Sequence, residues 1–252
     1  MPRLGTTDDM ETHKLGGNFT FSGARIQNLG ATEYTLATVM IDNTGSIASH
    51  AGELLDMLLA AVNACQKSPR SDNLLLRVCT FSTSKKDNGV EELHGFKPLA
   101  EINIADYAAM SCYGSTNLYD AAYSGIAATN AYADQLDAQD FLVNAITFVI
   151  TDGEDNASVA TPAMVRTESA RSVSGEVLES HISILIGVVS SPDSARMLKV
   201  FKDDAGLTQF IDAGEVSKGK LAKLAAFVSQ SISSTSQALG SGGASQAIQA
   251  TL

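Results

Sequence analysis

The chain has 252 residues, 44% of them hydrophobic and 18% charged, enough to bury a sizeable core without disulfides or a structural metal. Seventeen basic residues against 28 acidic ones give a formal net charge of −11. That balance repels nucleic acid and anionic lipid, so neither is expected as a partner, and it suits cations or basic surfaces better. The longest apolar runs, 145–150 and 182–189, fall far short of the roughly 20 residues of a membrane span. The opening MPRLGTTDDMETHKLGGN has no apolar stretch of the signal-peptide kind. Cys65, Cys79 and Cys112 show no metal-binding spacing, and a reduced, cytoplasmic compartment is expected for them. His13, His50, His94 and His181 make no HExxH-type pair, which argues against a zinc enzyme of the common kind.

Taken in chain order, residues 1–18 read as a flexible lead-in. Two short alternating stretches, FTFSGARIQ and EYTLAT, flank Asn28-Leu29-Gly30 and predict a hairpin over about 19–35. Residues 36–41 form a continuous apolar and β-branched run, as expected of a strand buried on both faces. After the break at 42–46, Leu55, Leu58, Leu59, Val62 and Cys65 recur at helical spacing. A second strand is predicted at 74–81. A third, at 92–102, contains Pro98 and is placed at a sheet edge, where a missing N–H is tolerated. A helix over 118–136, a buried strand at 145–151 and a helix over 162–177, with Thr161 as N-cap and Pro162 at its first position, come next. Then follow a strand at 182–189, a helix over 193–204, a short strand at 209–213 and a final helix over 218–231. The last charged residue is Lys223, and 233–252, rich in Ser, Ala, Gly and Gln, reads as a flexible tail. Strands alternating with helices predict a doubly wound, mostly parallel α/β sheet covered on both faces. The folded domain is expected to span 19–232.

The informative residues fall at strand ends. Asp42, Thr44 and Ser46 follow the first core strand, Asp152 follows the strand at 145–151, and Thr116 precedes a helix. In a doubly wound sheet, ligands bind beyond the carboxyl ends of the strands, where strand order reverses. Two aspartates there would repel a phosphate, and neither turn carries a lysine or arginine or a nucleotide-binding glycine pattern. Carboxylate and hydroxyl oxygens suit a hard divalent cation, with Mg²⁺ or Mn²⁺ favoured over Ca²⁺.

The three segments D-N-T-G-S (42–46), G-S-T-N-L-Y-D-A (114–121) and I-T-D-G-E-D-N (150–156) resemble, in order and spacing, the motifs of the von Willebrand factor A domain. The resemblance covers roughly 34–230. It implies a six-stranded Rossmann-like sheet with one antiparallel edge strand, and a metal-ion-dependent adhesion site formed by Asp42, Thr44, Ser46, Thr116 and Asp152. It also implies a coordination position open to an Asp or Glu of a partner protein, and a last helix whose displacement is coupled to the site. Thr44 stands where the family usually has serine, keeping the oxygen and adding a methyl. The spellings are closer to bacterial and phage stand-alone members, which implies an intracellular adaptor of the ATPase-linked, stress-response or tellurite-resistance type.

Other readings remain at this point. The 42–46 segment could be a turn with Ser46 capping the next helix. Glu154 and Asp155 read as solvated acids, Asp120 as a helix first-turn aspartate or a partner behind the metal ligands, Tyr113 and Tyr119 as packing at the border of the site, and His50 as a surface residue. Phosphatase (DxDx[TV]), aspartic-protease (DTGS) and serine-hydrolase (GxSxG) patterns are absent, so a binding module is expected rather than an enzyme. The alternatives are a metal-dependent hydrolase with an unrecognised base, or a structural protein that retains the fold.

Overall fold

The computed structural model describes residues 10–107, 111–174, 177–188, 191–214, 217–243 and 245–250. Its centre is β3 (Glu33–Asp42), flanked in parallel by β4 (Leu74–Phe81) and β6 (Leu142–Thr151). Nine of its ten residues are buried, because both edges are paired and both faces are covered by helices. Its side chains alternate between the two faces. Val39 and Ile41 pack under α1 (Ala51–Gln66) and α6 (Lys218–Gly240), whereas Met40 faces α3 (Leu118–Asp137). The α3 face is completed by α4 (Pro162–Ser174) and α5 (Pro192–Ala205).

Beyond β6 the sheet continues in parallel through β7 (His181–Gly187) and β8 (Gln209–Asp212). On the other side β5 (Val90–Pro98) runs antiparallel to β4, after a four-residue helical turn, α2 (Lys86–Gly89). The expectation of six strands with β5 at the edge is corrected here. Among the described residues the sheet has eight strands in the order β1-β2-β5-β4-β3-β6-β7-β8. Pro98 is tolerated because it is the last residue of β5, where the ladder stops.

The predicted hairpin is also corrected. β2 (Thr20–Ala24) pairs not with β3 but with β1 (Met10–Lys14), antiparallel, and at Gly23↔Phe96 with β5. β3 has no edge left to offer, since β4 and β6 occupy both. Residues 10–14 of the expected lead-in are therefore strand, while 1–9 lie outside the described residues. At the β2–β5 junction the backbones approach so closely that a Cβ on Gly95 would lie 2.0 Å from the Ser22 carbonyl oxygen.

The last helix continues past the predicted end at 231 to Gly240. Its lower half is fixed from within: Asn144 Nδ2 donates to the Thr235 carbonyl at 2.6 Å and Arg70 Nε to Ser236 Oγ at 3.3 Å. Of the expected flexible tail, 245–250 returns along the sheet. Ala247, Ile248 and Ala250 pack on the α1/α6-side core, and Gln209 Nε2 donates to the Ile248 carbonyl. Residues 175–176, at the end of the predicted 162–177 helix, and Val189, the last residue predicted for the 182–189 strand, lie outside the described residues. None of the described helices is long and apolar enough to cross a membrane.

Candidate metal centre

Strand order reverses between β3 and β6. The chain leaves β3 through α1 towards β4, then crosses back through α3 to β6. The crevice expected at such a point lies beyond Asp42, the last residue of β3, and Asp152, the first after β6.

Four of the five predicted residues join two facing hydrogen-bonded arms. Asp42 is wholly buried; its Oδ1 accepts from the Thr44 amide at 2.9 Å and its Oδ2 from the Thr151 hydroxyl at 2.7 Å. Ser46, exposed at the rim, donates its hydroxyl to Asp152 Oδ1 at 3.0 Å. The remaining contact, Thr44 Oγ1 to Ser46 Oγ at 3.0 Å, must then have Thr44 as donor, because a serine hydroxyl carries one hydrogen.

Thr116 sits on the second loop, buried, and its hydroxyl makes no hydrogen bond among the described residues. Its backbone is fixed instead. Thr116 N donates to Asn156 Oδ1 and Asn156 N to the Thr116 carbonyl, both at 2.9 Å. The first and second loops are joined by Tyr113 N to the Asn43 carbonyl (3.1 Å) and Gly45 N to the Gly114 carbonyl (3.2 Å). Gly114 holds a φ of +82°, and a Cβ there would lie 2.8 Å from Thr83 Oγ1, so only glycine fits without strain. All three loops thus form one rigid platform.

Burial pushes the Asp42 carboxyl up to about 6, the nearby Asp152 adds to that, and the bonds from Thr151 and Thr44 oppose it. Asp152 is also raised by burial, opposed by Ser46 and His50. Among the described residues neither carboxylate has a Lys or Arg ion-pair partner. A buried carboxylate without a cation costs free energy. The donor set therefore fits a divalent ion: two carboxylates to balance its charge and three hydroxyl oxygens, all hard ligands. Among the described residues no group of three His, Cys, Asp or Glu converges.

Several residues of the platform had no sequence signal. Thr151 reads as strand, yet its hydroxyl orients Asp42. Asp155, expected as a solvated acid, accepts from the Tyr119 amide and the Ser158 hydroxyl. Asp120 accepts from the Val159 and Ala160 amides at 3.1 and 2.7 Å, stapling the start of α3 to the third loop. Tyr119 stacks on Phe201, with ring centroids 4.6 Å apart. Tyr113 is exposed instead of packed. The Asn43 side-chain oxygen is buried without a partner among the described residues.

No family model and no curated protein matches the sequence. The fold does match solved structures. The D319A mutant of the PilB minor pilin from Streptococcus sanguinis is 12% identical, with a TM-score of 0.58 over 87% of this chain and 66% of that one. The pilus adhesin SpaC from Lactobacillus rhamnosus GG in its open conformation is 10% identical, with a TM-score of 0.60 over 92% of this chain and 35% of that one. Proximal thread matrix protein 1 from the mussel byssus, described with a zinc-occupied MIDAS motif, is 18% identical, with a TM-score of 0.50 over 80% of this chain and 46% of that one. This chain spans between about a third and two thirds of those structures. At such identities the likeness is one of fold.

Proposed function

We propose that the chain is a von Willebrand factor A-like protein-interaction module. In this reading Asp42, Thr44, Ser46, Thr116 and Asp152 hold Mg²⁺ or Mn²⁺ and leave a position for an Asp or Glu of a partner protein. The observation that carries it is the pair of hydrogen-bonded arms from Thr151 through Asp42 and from Thr44 through Ser46 to Asp152, at the strand-order reversal. The resemblance of the three loop motifs and the fold shared with a protein that has a MIDAS motif support it. When bound, the ion would supply a positive, Lewis-acidic point of attachment in a site otherwise walled by oxygen. Asp42 balances its charge from below, Thr151 keeps the Asp42 carboxylate turned, and Ser46 and Asp152 line the open rim. An intracellular adaptor is the setting we favour, with neither nucleic acid nor membrane as partner, given the net charge of −11. No catalytic role is assigned.

The test is thermal unfolding in EDTA and in millimolar Mg²⁺ or Mn²⁺. A ligand that binds only the native state raises Tm by mass action. Asp42→Ala should abolish that rise with little loss of metal-free stability, since it removes a buried carboxylate that burial and the nearby Asp152 both push towards the neutral form. Equal shifts in wild type and variant would refute the assignment.

A further inference from the structure

Among the described residues the two most exposed large apolar side chains are Val159, 84% exposed, and Tyr113, 67% exposed. They do not lie at random. Tyr113 is on the loop that carries Thr116, and Val159 follows directly on the loop that carries Asp152. Both backbones are held in place. Tyr113 N donates to the Asn43 carbonyl at 3.1 Å and its own carbonyl accepts from Ser84 Oγ at 3.2 Å. Val159 N donates to the Asp120 carboxylate at 3.1 Å. Two apolar groups are thus presented to solvent from a rigid platform on the second and third of the metal-centre loops. A mobile loop would fold such side chains away; a rigid one cannot, and the cost of ordering them on binding is already met. Single exposed apolar side chains are common on protein surfaces; what sets these two apart is that both stand on loops framing one proposed ligand position, with their backbones held.

On the Val159 side the exposed charge is acidic. Glu154 is exposed on the Val159 loop, with Asp155 beside it, while on the Tyr113 side Lys85 is engaged by Glu91 at 2.8 Å. A partner bringing several carboxylates would be repelled, and one carboxylate is all that the metal position accepts.

From this we infer that Tyr113 and Val159 form an apolar rim that selects the partner. The occupant is a short extended segment with a single Asp or Glu, an aromatic or branched apolar residue to either side of it, and a Lys or Arg to meet Glu154. This inference rests on the proposed metal-dependent function and adds what that function leaves open, namely which acidic segments are taken.

The probe is a random heptapeptide library displayed on phage, panned on the full chain in Mg²⁺ and eluted with EDTA. Enriched sequences should share one acidic residue flanked by apolar ones, with a basic residue near. For a synthetic enriched peptide, Tyr113→Ala and Val159→Ala should each weaken binding by about fivefold or more. Both variants should keep the wild-type Tm rise with Mg²⁺. Leu142→Ala and Val200→Ala, which truncate residues 53% and 49% exposed elsewhere on the surface, should leave affinity unchanged. Enrichment of acidic peptides without apolar flanks, no enrichment at all, or wild-type affinity in both rim variants would overturn the rim while a retained Mg²⁺-dependent Tm rise keeps the metal reading. Loss of that Tm rise in the wild type would instead remove the metal reading and the rim with it.

Discussion

Arg77 Nε donates to Glu92 Oε1 at 2.7 Å, and the arginine side chain is wholly buried while about a fifth of the glutamate side chain reaches solvent. Glu92 also accepts from the Ser22 amide and hydroxyl, and Arg77 reaches the Ser124 carbonyl at 3.4 Å. One ion pair thereby ties β4, β5, β2 and α3 together. Glu92→Ala would leave a guanidinium charge inside the protein, at a cost of about 3 kcal/mol, the lower end for such a break because Glu92 is partly solvated. Replacing both partners together, Arg77→Met with Glu92→Leu, should recover most of that loss. Urea unfolding of the three forms checks this; a loss under about 1 kcal/mol for Glu92→Ala would show that the pair is mostly screened.

Thr151 is not itself a proposed ligand, yet its hydroxyl fixes the orientation of the Asp42 carboxylate. Thr151→Val keeps the shape and removes the bond. On the proposed reading it should weaken Mg²⁺ binding by about tenfold, as changes behind metal ligands commonly do, with the fold intact by circular dichroism. Calorimetric titration with Mg²⁺ measures the effect, and unchanged affinity would mean that Asp42 is held by its other contacts.

His181 connects β7 to its neighbours. Nε2 lies 2.9 Å from Thr147 Oγ1 and Nδ1 2.9 Å from Ser172 Oγ, which donates on to Asn130. Burial depresses its pKa to about 4, from an ordinary 6.5. The unfolded chain takes up the proton first, so the contribution is fully present above pH 6.5 and is lost as pH falls towards 4. The loss approaches about 3 kcal/mol. Asp42, raised by burial, acts in the opposite sense. The informative quantity is therefore the difference between wild type and His181→Gln in urea midpoint from pH 7 to pH 4.5. That difference should shrink as the pH falls; a constant one would show that the ring titrates normally in the fold.

Deleting the residues after Gly243 removes Ala247, Ile248 and Ala250 from the core surface and the Ser245 hydroxyl from Asn144. The buried area concerned is modest, and a loss of roughly 1–2 kcal/mol is expected, read as a fall in Tm of a few degrees. An unchanged Tm would mean that the tail adds nothing to the folded state.

The parallel centre of the sheet was legible because strands buried on both faces are dominated by apolar and β-branched residues, as 36–41 and 145–151 are, and 74–81 apart from Arg77. β1 was not, since METHK carries little apolar pattern; β2 was read as a strand in the alternating FTFSGARIQ but with the wrong partner, because it pairs with β1 and, at one position, with a strand more than 60 residues away. The tail misled for a related reason. A run of Ser and Ala reads as unfolded by composition, but Ser231, Thr235 and Ser236 are small enough to lie buried against the sheet. At the candidate site, Asp42, Thr44, Ser46 and Asp152, which the fold brings into hydrogen-bonded contact, were singled out by their position after strands. The contacts that hold the loops to one another, Asn156 with Thr116 and Asp120 with Val159, join residues about 40 apart and leave no local trace.

The β1–β2 ribbon meets the rest of the sheet at a single paired position, Gly23↔Phe96, and Phe21 packs there among Phe96 and Tyr132. Its effect falls on solubility. Without it the outer edge of β5 would stand open, a row of unpaired amides and carbonyls with the Phe96 ring uncovered, which is the kind of edge on which copies of a chain stack. A shortened form beginning at Glu33 would retain every residue of the candidate-site loops and should fold, but light scattering should show it associating at concentrations where the full chain stays dispersed.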